Sequence, residues 1–271
     1  MRAELISLAK QFHLSVLSGG KFASSHTDGD ESILELLRAE AAAREKRAIA
    51  ERTKAARLPT FKSFSEFDTD FQKCITKEQL NTLESLDWLE QAFNLVLIGP
   101  PGTGKTHLAL AIGNKAVERG YKVSFAQMDS LMHILKTQEI SVKSAARVRW
   151  INKCDLVIID EVGYLPISKT EANLFFSIIS QLYETASVVI TRNKGFSGWG
   201  ELLGGSVLAT ALLDRLTHKC QVLTFEGEGW RITNRKISFN FLQVGFLFFI
   251  SGTFLLHSYR LLTNKIIYIL T

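Results

Sequence analysis

From residue 94 onward, short apolar runs alternate along the chain with longer stretches in which apolar residues recur at helical spacing. A run of about five apolar residues is typical of a strand that is buried on both faces. We predict strands at 94–98, 122–126, 155–159, 187–191 and 221–225, with helices between them, for example over 107–119 and 171–184. This alternation predicts an α/β fold in which a parallel sheet carries helices on both faces.

The N-terminal residues follow a different pattern. Residues 31–57 are rich in Ala, Leu, Glu, Arg and Lys and contain neither Gly nor Pro, which predicts one long helix that ends before Pro59. Between residues 34 and 57, seven basic residues stand against four acidic ones. Two interpretations fit this excess, a surface that contacts DNA phosphates and a solvated helix held by i,i+4 ion pairs. The candidate DNA contacts are Arg44, Arg47, Arg52 and Lys54.

Four phenylalanines occur in the loop-like stretch after this helix, at Phe61, Phe64, Phe67 and Phe71. Large apolar groups are unfavourable in water, so we expect them to dock the N-terminal region onto the main domain. These patterns divide the chain into a helical N-terminal region (1–60), a docking linker (61–93), an α/β core (94–236) and a hydrophobic tail (237–271).

Composition limits the class of protein. The 271 residues are 46% hydrophobic and 22% charged, which suits one main core with a small appendage, and the net charge of +5 suits a partner that carries phosphates. The three cysteines are far apart and show no C-x-x-C spacing, so neither a disulfide framework nor a zinc site is indicated. Charges interrupt the N-terminal apolar stretch, which does not resemble a secretory leader. We therefore expect a cytoplasmic protein.

One short segment predicts chemistry directly. Residues 99–106 read Gly-Pro-Pro-Gly-Thr-Gly-Lys-Thr, a complete G-x-x-x-x-G-K-[ST] phosphate-binding loop between a predicted strand and a predicted helix. Backbone N–H groups of such a loop bind the β-phosphate, the lysine neutralises the β- and γ-phosphates, and the threonine hydroxyl binds Mg²⁺. The sequence therefore predicts a nucleoside triphosphate site formed by Gly99, Pro100, Pro101, Gly102, Thr103, Gly104, Lys105, Thr106 and His107.

Polar residues also end two other predicted strands. Asp160 and Glu161 follow the apolar run 156–159, an arrangement that parallel-sheet NTPases place beside the phosphate loop. We expect Asp160 to hold Mg²⁺ and Glu161 to orient the attacking water. Asn193 follows the next strand, where it either contacts the γ-phosphate or forms a turn.

Four segments together resemble the IstB-like ATPases, AAA+ helper proteins of bacterial insertion sequences that are similar to DnaC-type helicase loaders. They are GPPGTGKTHLA at 99–109, LVIIDEVGYLP at 156–166, EANLFF at 171–176 and LATALLDRL at 208–216. The resemblance covers about residues 34–236 and implies a P-loop NTPase of the AAA+ type that uses ATP and Mg²⁺. It further implies that Asn193 senses the γ-phosphate, that Arg215 reaches the ATP of a neighbouring subunit, and that Arg231 acts on ATP in its own subunit. Without the resemblance, both arginines would be interpreted as surface ion pairs.

The resemblance also implies a biological role. An ATP-binding and hydrolysing helper of DNA transposition would assemble on DNA as a homo-oligomer and recruit or activate the transposase of the same element. No base-reading motif is visible, so we expect DNA binding to be largely independent of sequence. Two alternatives remain, a DnaC-like replicative helicase loader and a nucleotide-gated DNA-binding adaptor with little turnover.

The chain departs from the family pattern at three positions and in its tail. Arg192 stands where a small hydroxyl residue is usual, Gly205 where an acidic residue is common, and Gly229 where serine is usual. Family members end soon after the position of residue 236, whereas here residues 237–259 contain no Lys, Arg, Asp or Glu and are long enough to cross a bilayer core of about 30 Å. The tail is interpreted either as a membrane-spanning segment or as the product of a shifted reading frame or lost stop codon.

Overall fold

The computed structural model describes residues 2–19, 29–163, 167–195, 198–203, 205–227, 249–250 and 253–254. The chain forms two compact units, Met1–Thr233 and Asn234–Thr271. The first unit contains the parallel sheet and the phosphate loop. The second contains two short strands.

Among the described residues, the central sheet of the first unit has five parallel strands. These are β1 (Asn94–Ile98), β2 (Val123–Gln127), β3 (Leu156–Asp160), β4 (Ser187–Arg192) and β5 (Cys220–Thr224). Their order across the sheet is β2-β3-β4-β1-β5. Each predicted strand is confirmed to within one residue at either end. Because the strands are parallel, their carboxyl ends lie at one edge of the sheet, where ligands bind in open α/β sheets. Strand β4 lies between β1 and β3, so the ends of these three strands are neighbours there.

Helices precede the sheet and connect its strands. Before the sheet lie α1 (Arg2–Gln11), α2 (Ser15–Ser18), α3 (Gly29–Ala56) and α4 (Lys77–Ser85). Between the strands lie α5 (Lys105–Glu118), α6 (Met128–Thr137), α7 (Val142–Ile151), α8 (Lys169–Leu182), α9 (Trp199–Leu202) and α10 (Ser206–Thr217). The predicted long N-terminal helix is confirmed as α3. It ends where Arg57 adopts a left-handed backbone conformation, with φ of 58°, two residues before Pro59.

The sheet buries a separate apolar core on each face. On one face, α5 and α4 pack with the end of α3, and β3 contributes Ile158. On the other face, α6 to α10 pack together, and β3 contributes Ile159. Successive residues of one strand point to opposite faces, so an uninterrupted apolar run is what a sheet covered on both sides requires. The predicted α/β layering is confirmed.

The linker aromatics do not all dock as predicted. Phe64 and Phe67 are buried in the same core as Leu108 of α5. Phe61 is 61% exposed, so the prediction is wrong at this position. It lies at the edge of a cavity of about 420 Å³ between the linker and α5, because the chain turns inward only at the 3-10 turn Phe64–Glu66.

Hydrogen bonds hold the C-terminal half of α3 against the core. The Arg147 guanidinium, on α7, donates from Nη1 to the carbonyl oxygen of Ala55 at 2.7 Å and from Nη2 to Ser124 Oγ at 2.8 Å. Arg52 donates from Nε to the carbonyl oxygen of Val117 at 3.1 Å. These bonds join the basic helix to β2, α5 and α7, and α5 begins directly after the phosphate loop.

In the second unit, strands β6 (Phe249–Ile250) and β7 (Thr253–Phe254) pair antiparallel, with Phe249 opposite Phe254. Most of the uncharged segment 237–259 lies outside the described residues. Within the described residues, every helix is too short or too polar to cross a membrane.

Candidate nucleotide-binding site

The phosphate loop leaves β1 and enters α5 through backbone positions that favour glycine. A Cβ atom on Gly99 would stand 2.3 Å from the carbonyl oxygen of Phe225, so only glycine fits there. Gly104 has φ of 103°, a conformation that other residues rarely adopt, and α5 begins at the next residue, Lys105. The loop therefore directs the N-terminus of α5 towards the carboxyl edge of the sheet.

Lys105 folds back over the loop. Its side chain is buried, and Nζ donates hydrogen bonds of 2.6 Å to the carbonyl oxygens of both Gly99 and Pro100. Burial lowers the pKa of Lys105, while the carboxylates of Asp160 and Glu161 act in the opposite direction. An ammonium group that is desolvated in this way binds phosphate oxygens strongly, because little water competes for it.

Asp160 accepts hydrogen bonds from hydroxyl groups on two other elements, α5 and β4. Thr106 Oγ1 donates to Asp160 Oδ1 at 2.9 Å, and Thr191 Oγ1 donates to the same oxygen. Asp160 is only 3% exposed. A carboxylate beside the hydroxyl of a phosphate loop is an all-oxygen donor set of the kind that Mg²⁺ prefers, so these residues fit the predicted metal.

Glu161 stands at the sharp turn that follows β3. Its φ is 61°, in the left-handed region, and its side chain is exposed. The Glu161 N–H donates to Thr191 Oγ1 at 3.0 Å, and the Val162 N–H donates to the Thr191 carbonyl oxygen at 2.9 Å. A strained backbone persists only where the surroundings hold it, and here Thr191 does so.

The sequence interpretation missed Thr191. It stands one residue before the end of β4, and its hydroxyl contacts both acidic residues of the candidate site. The signal was present in the sequence, since a hydroxyl residue ends the apolar run 188–190. Only the side-by-side position of β3 and β4 shows which way that hydroxyl points.

Arg192 and Asn193 follow Thr191 at the end of β4. Arg192 is 2% exposed and stacks on Trp199, with its guanidinium carbon 4.8 Å from the ring centroid. In the portion of the chain that the structure describes, its Nε and Nη1 atoms have no hydrogen-bond partner, and burial lowers its pKa. A Cβ atom on Gly198 would come within 2.9 Å of Arg192 Nη2. Asn193 is partly exposed beside this crowded group.

Arg215 lies apart from the phosphate loop. On α10 it donates from Nη1 to the carbonyl oxygen of Ala211 at 3.1 Å and stacks on Phe176, with its guanidinium carbon 4.5 Å from the ring centroid. It is absent from the described lining of the cavity that contains Lys105. Arg231 and Gly229 lie outside the described residues.

Two of the candidate DNA contacts bind a carboxylate of their own helix. Arg44 Nε and Arg47 Nη2 lie 3.0 and 3.3 Å from Glu40 Oε1. Glu40 is buried, and the Val16 N–H donates to its Oε2 at 2.9 Å. That backbone hydrogen bond, with those of Arg44 and Ser15, lowers the pKa of Glu40 to about 2. Through Glu40 both arginines help to join α3 to α2. Both also remain exposed in part, so they still face solvent.

The other two candidate contacts differ from each other. Arg52 Nη2 lies 2.7 Å from Glu45 Oε1, and its Nε donates to the carbonyl oxygen of Val117 at the end of α5. Arg52 therefore has a structural role in this chain. Lys54 is exposed to solvent on α3. The four basic residues therefore do not form one uniform set of free cations.

A cavity of about 800 Å³ contains both the phosphate loop and the acidic end of β3. It is lined by the loop residues 102–107, by Asp160 and Glu161, and by residues of the linker segment 59–72. His107 closes part of the boundary, with Nε2 3.4 Å from the carbonyl oxygen of Ser63, and burial lowers its pKa. The volume lies within the range of pockets that hold small organic ligands. The structure brings Lys105, Thr106, Asp160 and Glu161 to one cavity, and their roles stay predictions.

Solved structures show where this architecture occurs. The chain is similar to a DnaI crystal structure with a TM-score of 0.52 and 19% identity, over 61% of this chain and 91% of that one. It is similar to the DnaC helicase loader with a TM-score of 0.50 and 19% identity, over 60% of this chain and 96% of that one. At this identity the similarity concerns the fold, and the predicted AAA+ type of P-loop fold is confirmed.

Proteins found by sequence comparison are more similar to this chain in sequence than these solved structures are. The chain is 41% identical over 193 residues to a protein named as the ATP-binding protein of insertion sequence IS21 in Pseudomonas aeruginosa, which covers 71% of this chain and 73% of that protein. It is 34% identical over 243 residues to the one named for IS5376 in Geobacillus stearothermophilus, covering 88% and 97%. The profile of the family described as IstB-like ATP binding protein matches residues 5–238. The phosphate loop, the acidic strand end and this match together show that the chain belongs to the family of IstB-like ATP binding proteins.

Proposed function

We propose that the protein binds ATP with Mg²⁺ and hydrolyses it as a helper of DNA transposition. The observation that carries the proposal is the pair of hydrogen bonds that Thr106 and Thr191 donate to Asp160, beside the buried Lys105. This cluster provides, within one cavity, a cation for phosphates, oxygen ligands for a metal and an acidic residue next to them. Each is a part that P-loop ATPases require.

In the proposed mechanism, Lys105 and the loop N–H groups bind the β- and γ-phosphates. Thr106 and Asp160 would hold Mg²⁺, which neutralises phosphate charge when it is bound. Glu161 orients and polarises the attacking water from its fixed turn, and Asn193 contacts the γ-phosphate. Arg231 acts on the same nucleotide.

Arg215 is proposed to act on the ATP of a neighbouring subunit. It is partly exposed on α10 and stays outside the described lining of its own subunit's cavity. An arginine that completes an adjacent site makes hydrolysis depend on assembly, because the transition-state charge is stabilised only at an interface. The active form is therefore a homo-oligomer.

The proposed role follows from the relatives, which are named as ATP-binding proteins of insertion sequences. The protein would assemble on DNA in the cytoplasm and recruit or activate the transposase of the same element. Lys54 and the exposed parts of Arg44 and Arg47 would contact phosphates, so binding should be largely independent of sequence and should weaken with salt.

One observation favours a second candidate, a nucleotide-gated DNA-binding adaptor with little turnover. Arg192 is buried without a hydrogen-bond partner for Nε or Nη1 in the described residues, directly before Asn193. A bulky group at this point would shift Asn193 away from the γ-phosphate and slow hydrolysis while binding continues.

The test is ATP hydrolysis by the full chain, with and without duplex DNA. Glu161→Gln is expected to lower the rate by about 10²-fold or more while ATP binding is retained. The matched control is Glu139→Gln, at an exposed position in the turn between α6 and α7. Binding without turnover in the wild type would support the adaptor, and an absence of ATP binding would overturn both candidates.

A further inference from the structure

Gln72 has a buried side chain that has no role in the proposed phosphate binding and ATP hydrolysis. The residue is 3% exposed and lines the 800 Å³ cavity that contains the phosphate loop. Among the residues that the structure describes, nothing accepts a hydrogen bond from its Nε2. Buried amide groups are almost always paired, because an unpaired donor loses its bonds to water without compensation. The amide donor therefore has no acceptor among the described residues, in a side chain that lines the cavity.

The backbone around Gln72 is held in place before any ligand binds. The Gln72 N–H donates to the carbonyl oxygen of Asp68 at 3.1 Å. The Asp68 carboxylate accepts from the N–H groups of Asp70 and Phe71, at 2.9 and 3.0 Å. The turn 68–72 is thus closed by its own hydrogen bonds. A preorganised group binds a ligand with little loss of conformational entropy.

Aromatic side chains flank the same part of the cavity. Phe67 and Phe71 both line it. The Phe67 ring lies 3.5 Å from the point where a Cβ atom on Gly104 would stand, and it packs edge-to-face on His107 with centroids 5.9 Å apart. Phosphates need N–H groups and cations, whereas a flat base needs aromatic or apolar faces with a few polar groups at its edge. The linker side of the cavity therefore suits a nucleobase.

We propose that Gln72 recognises the nucleobase of the bound triphosphate and selects adenine over guanine. A carboxamide offers one donor and one acceptor side by side, which matches the 6-amino group of adenine and the ring nitrogen next to it. Guanine carries a carbonyl oxygen at that position, so its N7 edge presents two acceptors that one carboxamide cannot satisfy. This inference rests on the proposed binding of a nucleoside triphosphate and adds the residue that sets base specificity.

The experiment measures binding of β,γ-methylene analogues of ATP and GTP to the full chain in the presence of Mg²⁺. The wild type should bind the adenine analogue at least about tenfold more tightly, since one lost hydrogen bond to a buried group has an effect of that order. Gln72→Met keeps the length of the side chain without its amide. It should weaken the adenine analogue about tenfold and leave the guanine analogue within about twofold. Gln91→Met, at an exposed position, is the matched control.

The outcomes separate this inference from the proposed function. If Gln72→Met keeps the wild-type preference for adenine, or if the wild type binds both analogues equally, Gln72 is not the selecting residue and triphosphate binding still stands. If the wild type binds neither analogue, the proposed function fails as well. Should Gln72→Met not fold, the wild type alone decides, with a purine analogue that lacks the 6-amino group. About tenfold weaker binding is expected for it, and equal affinity would overturn the inference.

Discussion

The Thr191 hydroxyl, on β4, donates a hydrogen bond to Oδ1 of Asp160, on the neighbouring strand β3. The same hydroxyl accepts a hydrogen bond from the Glu161 N–H at 3.0 Å. One side chain therefore fixes the carboxylate that is proposed to bind Mg²⁺ and the turn that carries the proposed catalytic glutamate. Groups that orient a metal ligand in this way influence both metal affinity and rate.

We expect Thr191→Val to slow ATP hydrolysis by about 10- to 100-fold. Valine fills a similar volume but can neither donate to Asp160 nor accept from Glu161, so both groups lose their fixed orientation. Lys105 still binds the phosphates, and ATP affinity should therefore change much less. Steady-state rates at a series of Mg²⁺ concentrations test this, because a poorly oriented Asp160 should also raise the Mg²⁺ concentration required for half-maximal activity.

Thr210→Val is the matched control for this variant. Thr210 is exposed on α10, where its hydroxyl donates to the carbonyl oxygen of Ser206 at 2.9 Å. The control removes the same kind of group at a distance from the cavity. Wild-type rates and Mg²⁺ dependence in Thr191→Val would show that Asp160 and Glu161 need no support from β4.

The parts of the site that local sequence determines were predictable. A strand, a glycine-rich turn and a helix in succession require no information from elsewhere in the chain, and the structure forms the loop and starts α5 at Lys105. The approach of Asp160 to Thr106 was also predictable, because parallel strands bring their carboxyl ends to one edge. In these cases one pattern determines both the element and the direction of its side chains.

Other contacts depend on residues far apart in sequence, and the pattern could not predict them. Arg52 was predicted as a DNA contact, yet it bonds Val117, which lies 65 positions later in the chain. Gln72 stands in a loop whose composition does not indicate that the side chain lines a cavity. Arg192 was noticed as unusual, but only the packing on Trp199 shows that it is buried.

Arg192 is expected to lower the stability of the folded chain. Its guanidinium is buried on Trp199, and in the described residues Nε and Nη1 have no partner, so hydration is lost without compensation. Arg192→Met retains an apolar chain over the ring and removes the charge. We expect the variant to be more stable by about 1–3 kcal/mol, which thermal unfolding without nucleotide would measure as a higher Tm.

Arg149→Met, at an exposed position on α7, controls for the general effect of removing one positive charge. Its Tm should stay close to that of the wild type. A lower Tm in Arg192→Met than in this control would mean that the guanidinium contributes more through stacking than its burial costs. Arg192→Met should also raise ATP turnover if the crowded guanidinium of Arg192 displaces Asn193.

The contact between Glu40 and α2 should depend on pH. The Val16 N–H, together with Arg44 and Ser15, holds the pKa of Glu40 at about 2, below its ordinary value of 4.5. A carboxyl group whose folded pKa is depressed contributes stability above its unfolded pKa, and this contribution is lost as pH falls through the folded value. The docking of α2 on α3 should therefore be stable above about pH 4.5 and should weaken progressively towards about pH 2.

Hydrogen exchange at the Val16 amide measures this directly, since that N–H donates to Glu40 at 2.9 Å. Glu40→Gln removes the charge and should exchange faster than the wild type at pH 6. The difference between the two proteins should shrink as both are compared at successively lower pH. Equal protection of Val16 at pH 6 would show that the charge of Glu40 does not hold α2 in place.

The strongest test of a shared active site combines two variants that are each expected to be inactive. Lys105→Ala removes the phosphate-binding cation of a subunit's own site and leaves its Arg215 intact. Arg215→Ala leaves the phosphate loop intact and removes the arginine proposed for the neighbouring site. Each protein alone should lose most of its ATP hydrolysis, because every interface then lacks one of the two groups. Lys153→Ala, at an exposed position, controls for loss of a lysine.

Mixing the two variants distinguishes an arginine that acts between subunits from one that acts within its own. In a mixed oligomer, some interfaces pair an intact phosphate loop from the Arg215→Ala subunit with an intact Arg215 from the Lys105→Ala subunit. If subunits mix at random in equal amounts, about a quarter of the interfaces are complete, and activity should recover to that order, since each interface arginine is worth about 10³-fold or more in rate. An arginine that served only its own subunit would give no recovery at any ratio, because no chain would then contain both groups. Recovery that rises and falls with the mixing ratio, with its maximum at equal amounts, would establish that one subunit completes the site of the next.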